Sequence, residues 1–87
     1  MERELLDLIN VCEDILNKGA KDEIWHYYTH GEFEMALEGL LIEVCDKETY
    51  PHNYDISKII ELATHYKLNE DSVFDNHIWK KIIKWAK

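Results

Sequence analysis

"THGEFEMALEGLL", Thr29 to Leu41, is the stretch on which the fold reading turns. It holds six apolar side chains, Phe33, Met35, Ala36, Leu37, Leu40 and Leu41, together with three glutamates and a mid-run glycine. Phe33, Ala36, Leu37, Leu40, Leu41 and then Val44 recur at steps of three and four, which is one continuous helical stripe. Met35, Gly39 and Ile42 make a second, narrower stripe on another side. A helix apolar on two sides is sandwiched between neighbours, so this one is expected at the centre of the fold. Gly39 costs about 1 kcal/mol relative to alanine in a helix interior, and close approach of another backbone is the expected reason for it. "HGE" reads as the turn that aims the helix. Glu34 and Glu38 remain, four residues apart and predicted to form an exposed edge opposite the main stripe. A like-charged pair at that spacing is destabilising by about 0.2–0.5 kcal/mol, so the edge asks for a reason beyond folding.

The flanking segments repeat the helical period. From Arg3 to Asn17, Leu5, Leu8, Ile9, Cys12, Ile15 and Leu16 fall on one face, and Lys18-Gly19 reads as the helix stop. Asp22 to Thr29 is a short aromatic helix with Ile24, Trp25, Tyr27 and Tyr28, ended by Gly31. "DKETYPHNY" is the one sizeable loop, with Pro51 and Asn53 as turn residues. Asp55 is placed to cap a fourth helix that shows Ile56, Ile59, Ile60 and Ala63 on one face. A last helix, from about His77 to Ala86, turns Trp79, Ile82, Ile83 and Ala86 inward. No segment alternates with period two, so the expected fold is all-α, a compact bundle of five or six short helices in a single domain spanning 1–87.

Composition narrows the function classes. A chain of 87 residues buries roughly 60–65% of its unfolded surface, which is one core. At 46% hydrophobic it is too apolar for a disordered tail. No run approaches the length of a membrane span, and "MERELLDLIN" is acidic and amphipathic rather than a basic leader, so a cytoplasmic protein is expected. Cys12 and Cys45 sit on or beside buried stripes and read as small core hydrophobes rather than a disulfide. The net charge of −8 is uneven: residues 1–49 hold thirteen acids and four bases, and 50–87 hold five acids and six bases. An acidic first half repels phosphate backbones and favours a basic partner, so neither nucleic acid nor membrane is expected to bind it. Lys80, Lys81, Lys84 and Lys87 gather at a helix carboxyl end, where the backbone dipole favours cations.

Chemistry-bearing motifs are sparse. His26 and His30 lie four apart on one helix face, a spacing zinc uses, but no third ligand is placed and no glutamate follows the first histidine as in the metalloprotease motif. There is no glycine-rich phosphate loop, no histidine partner for either cysteine and no pair of carboxylates in opposed environments. Neither an enzyme nor a cofactor is expected. The acids instead suggest a field that steers a cationic partner. The candidate partner-binding residues are Glu34 and Glu38, then Asp22, Glu23, Asp46 and Glu48, with Trp25 or Tyr27 as the apolar anchor.

The run "YYTHGEFEMALEGLLIEVCD", and after a loop "IIELATHYKLNEDSVFDNHIWKKI", resembles the MafI-type immunity proteins of bacterial toxin systems, a group akin to the CdiI-like proteins of contact-dependent inhibition. The matching positions are Tyr28, His30, Gly31, Glu32, Ala36, Leu37, Glu38, Leu40, Glu61, Leu62, Ala63, Leu68, Trp79 and Ile82, across about residues 24 to 83. The chain departs from the pattern at Lys67, where glycine is common, and in a longer acidic-aromatic insert before Trp79. The resemblance implies a small cytosolic antidote without catalytic activity; a monomer or weak dimer is expected. It would bind a cognate toxin domain, often a nuclease, and mask its active or substrate-binding surface. The rival expectation is a helical adaptor that meets its partner through an exposed Trp85 and the lysine-rich last helix.

Overall fold

The computed structural model describes residues 2–47, 54–72 and 74–85. Glu48, Pro51, Asn53, Ala86 and Lys87, to which the sequence assigned roles, lie outside the described residues. Five helices follow in order: α1 (Glu2–Val11), α2 (Lys18–Thr29), α3 (Phe33–Asp46), α4 (Ile56–His65) and α5 (Ile78–Trp85). No strand occurs among the described residues, and none of the helices is long and apolar enough to cross a membrane. The all-α bundle expected from the hydrophobic period is what the chain forms.

Helix α3 is the centre, packed against α2, α1 and α5, while α4 packs against α1 and α5. Its main stripe closes the core: Ala36, Leu37, Leu40, Leu41 and Val44 are at most 1% exposed. Around them lie Leu5, Leu8 and Ile9 of α1, Ile24 of α2, Ile59, Leu62 and Ala63 of α4, and Ile78 and Ile82 of α5. The inward face of α5 is therefore Ile78 and Ile82. Trp79 and Ile83, expected inward, are half-buried, because the helix turns its Ile78/Ile82 row to α3 and α4. Trp85 is half-buried against the same core rather than exposed.

Helix α1 stops at Val11, and the chain continues through turns in which Ile15 N–H donates to the Cys12 carbonyl at 2.9 Å and Leu16 N–H to Glu13 at 3.3 Å. These three-residue turns keep Cys12 and Leu16 buried, so the apolar period outlasts the helix. Gly19 does not end α1. It lies in the first turn of α2, whose amino end is capped by Asn17, its Oδ1 accepting from Ala20 N–H at 2.8 Å. Asp55 caps α4 as expected, accepting from Ser57 N–H at 3.0 Å. That backbone donor, above all, lowers the Asp55 pKa below its ordinary value.

Helices α2 and α4 end in the same motif. Glu32 N–H donates to the Tyr27 carbonyl at 2.9 Å and Gly31 N–H to Tyr28 at 3.1 Å, with Gly31 at φ +75°. Leu68 N–H donates to Ala63 at 2.8 Å and Lys67 N–H to Thr64 at 3.1 Å, with Lys67 at φ 63°. Both are Schellman closures, whose left-handed residue is ordinarily glycine. Lys67 is the one non-glycine residue with positive φ among those described.

Candidate functional site

Helices α2 and α3 form a hairpin hinged at Gly31, and their seam holds a cleft of about 120 Å³. Ala20, Glu23, Ile24 and Tyr27 line it from α2; Gly39, Ile42 and Glu43 line it from α3. Phe74 closes one side. It is 47% exposed, and its ring stands 5.9 Å from that of Tyr27. No other large hydrophobic among the described residues stands so far out into solvent.

The position of Phe74 is set by Glu38. That side chain is fully buried, and its Oε2 accepts from Phe74 N–H at 2.7 Å and from Asp75 N–H at 2.6 Å. Two backbone donors replace the water that a buried carboxylate gives up, and no buried side-chain polar atom among the described residues lacks a partner. Asp75 continues the link into α5: its Oδ1 accepts from His77 N–H at 2.9 Å and its Oδ2 pairs with Lys81 Nζ at 2.8 Å. The Lys81 hydrogen bond, then the His77 N–H, holds the Asp75 pKa below its ordinary value, and Asp75 correspondingly raises that of Lys81.

The Glu34/Glu38 edge is therefore corrected. Glu34 is exposed, but Glu38 points into the protein and binds the 74–75 backbone. Sequence spacing missed this because the donors are 36 and 37 residues away. Glu23 lines the cleft, and its Oε1 accepts from Tyr27 O–H at 3.3 Å. Burial of the ring, reinforced by Glu23 and Glu32, raises the Tyr27 phenol above its ordinary pKa. Asp22 is exposed beside Glu23. Asp46 is exposed at the carboxyl end of α3 and acts on Cys45 and Lys81. Glu48 lies outside the described residues.

The two anchor candidates also part. Tyr27 belongs to the cleft, whereas Trp25 meets Tyr28 edge-on at 5.5 Å in a string that continues through Phe33 to Tyr66. Of the predicted set the cleft brings together Glu23 and Tyr27. It adds Phe74, Glu43, Ile42 and Gly39, none of them predicted as site residues. Phe74 had a signal in the sequence, a lone aromatic in the polar run "NEDSVFDNH".

The expected close backbone approach at Gly39 does not occur. A Cβ built there would meet Ile24 Cγ1 at 3.8 Å, an ordinary contact.

His26 and His30 stand with ring centroids 4.3 Å apart, and His30 Nδ1 lies 2.7 Å from the His26 carbonyl oxygen. Among the described residues no group of three His, Cys, Asp or Glu side chains is arranged to hold a metal. Both cysteines are free thiols, and burial pushes each to a pKa of about 11.

Compared with protein-family models, with curated proteins and with solved structures, the chain matches none.

Proposed function

We propose that this chain is a non-enzymatic immunity protein of the MafI type, which neutralises a cognate toxin domain by binding over its basic active-site or substrate-binding surface. The observation that carries the reading is the α2–α3 cleft. It presents a half-exposed Phe74 and a half-buried Tyr27 between two glutamates, Glu23 and Glu43. Aromatic rings at a rimmed hollow are the usual anchors of a protein interface. The acidic first half suits a nuclease, whose own substrate surface must be basic to hold RNA or DNA. Lys67 adds support from the backbone: where this chain departs from the family pattern's glycine, it takes the left-handed conformation that glycine serves. On this reading the protein works in the cytoplasm, where a nuclease would reach its substrate.

The test is direct. A candidate toxin domain, sought in the adjoining genes, is expressed with and without this chain, and cell survival and complex formation are measured. Rescue of growth with a stable stoichiometric complex is expected. A chain that neither protects cells nor binds that domain, but is recovered with an unrelated housekeeping protein, would favour the adaptor reading instead.

A further inference from the structure

We infer that the α2–α3 cleft is a receptor for a single arginine side chain of a partner protein, its guanidinium set against Phe74 and Tyr27 and bonded by Glu23 and Glu43. This deepens the immunity reading and rests on it for the partner's identity, while the cleft's chemistry stands on three observations of its own.

The first is size. A cleft of about 120 Å³ has room for roughly four waters at their share of liquid volume. A guanidinium, one planar carbon with three nitrogens, fits that space. A whole helix does not.

The second is charge. Glu23 and Glu43 both line the cleft, and neither forms an ion pair with any of the described residues. The Glu23 carboxylate accepts a long 3.3 Å bond from the Tyr27 hydroxyl. Arginine suits the site better than lysine. Its flat, weakly hydrated group stacks on aromatic faces and can bond two carboxylates with separate N–H pairs.

The third is Gly39. Its backbone is helical, and a methyl group there would make only an ordinary contact with Ile24, so folding does not require glycine. Gly39 lines the cleft, and a side chain at that position would occupy part of it. A glycine unfavourable to its helix yet sterically replaceable is explained by the space it leaves open.

The probe is N-acetyl-Gly-Arg-Gly-amide, titrated into the 15N-labelled chain by amide NMR, with citrulline, lysine and leucine peptides as controls. The arginine peptide should give saturable shifts centred on Glu23, Tyr27, Ile42, Glu43 and Phe74. Lysine should bind more weakly, and citrulline and leucine should give little. Phe74→Ala should weaken arginine binding about two- to five-fold, the range of an exposed cation–π contact. Glu43→Gln and Gly39→Ala should weaken it too, with the dispersion of the spectrum intact in all three. Shifts centred away from the cleft, on the acids of α1, Glu34 or Asp46, or equal binding of citrulline, would overturn the proposal, as would tighter binding of leucine. Failures of the two readings separate: a mapped arginine peptide with no toxin complex leaves the cleft and removes the immunity role. A toxin complex indifferent to Phe74→Ala and Glu43→Gln does the reverse.

Discussion

Glu38 and Gly39 are neighbours with opposite structural roles, and each role predicts its own mutational sign. Removing the Glu38 carboxylate strands two backbone donors and leaves a void, so Glu38→Ala should lower the free energy of unfolding by about 3 kcal/mol. Glu38→Gln, which keeps an acceptor oxygen, should cost less; urea denaturation of both variants checks the order. Glu38→Lys is expected to unfold the domain, so loss of binding in that variant would say nothing about an interface. The acidic surface is better tested through Glu23, Glu34 and Glu43. Gly39→Ala should stabilise the chain by about 0.5–1 kcal/mol, the helix-propensity difference, because the added methyl meets no obstacle. Greater stability together with weaker partner binding would mark Gly39 as a functional residue; unchanged or lower stability would refute its being sterically replaceable. The thiols can be read as well. With pKa values of about 11, Cys12 and Cys45 are only roughly one part in a thousand thiolate at pH 8, and a disulfide-exchange reagent should label them far more slowly in the native than in the urea-unfolded chain.

At the scale of the element, two helices end in one geometry with different residues, which makes a matched pair of experiments. Gly31→Ala puts a Cβ at φ +75° and should destabilise by about 1–2 kcal/mol, although nothing lies within 4 Å to clash with it. Lys67→Gly relieves the same strain at φ 63°. Set against glycine's larger loss of backbone freedom, the net gain should be at most about 1 kcal/mol. A destabilised Lys67→Gly would mean that the lysine side chain contributes more than its backbone costs. Thermal melts of the two variants decide the signs. The helix starts differ in the same way: Asp55 is legible as a cap from its residue type, whereas Asn17 is masked in the sequence by Gly19, a residue that commonly follows a helix. A glycine two residues after an asparagine fits either side of a helix boundary. Only the hydrogen bond from Ala20 N–H settles which side it is on.

For the whole molecule, the connection Glu38–Phe74/Asp75–Lys81 ties the central helix to the last one across a long separation in sequence. Asp75 gives this link a pH signature. Its folded pKa lies below the ordinary aspartate value, so its contribution is fully present above that ordinary value and is lost as pH falls through the folded pKa. The Lys81 side chain in the pair is 42% exposed, so the effect is screened and modest. Asp75→Asn should lower the urea midpoint at pH 7 and shrink the difference between the wild-type and variant midpoints as pH approaches 3. A constant difference across that range would exclude the ionised pair as the cause. The acids do not form one face: Glu23 lines the cleft, Glu34 lies in the first turn of α3, and Asp46 acts on α5. A partner that read only net charge would meet all of them weakly, whereas a partner that read shape would meet the cleft.

The helices, their order and most of the core follow from the sequence alone, because a 3.6-residue period is a local property written in neighbouring residues. Leu37, Leu40, Leu41 and Ile59 could be assigned inward by counting. It also determined the acidic charge, which composition states without a fold. Which polar groups face water is set by long-range packing. Glu34 and Glu38 have the same chemistry on the same helix, and the difference between a surface acid and a buried bracket is made by Phe74 and Asp75, far along the chain. The same is true of the cleft: Tyr27, Gly39 and Phe74 come from three separate segments, and their shared space exists only once α2, α3 and the approach to α5 have packed.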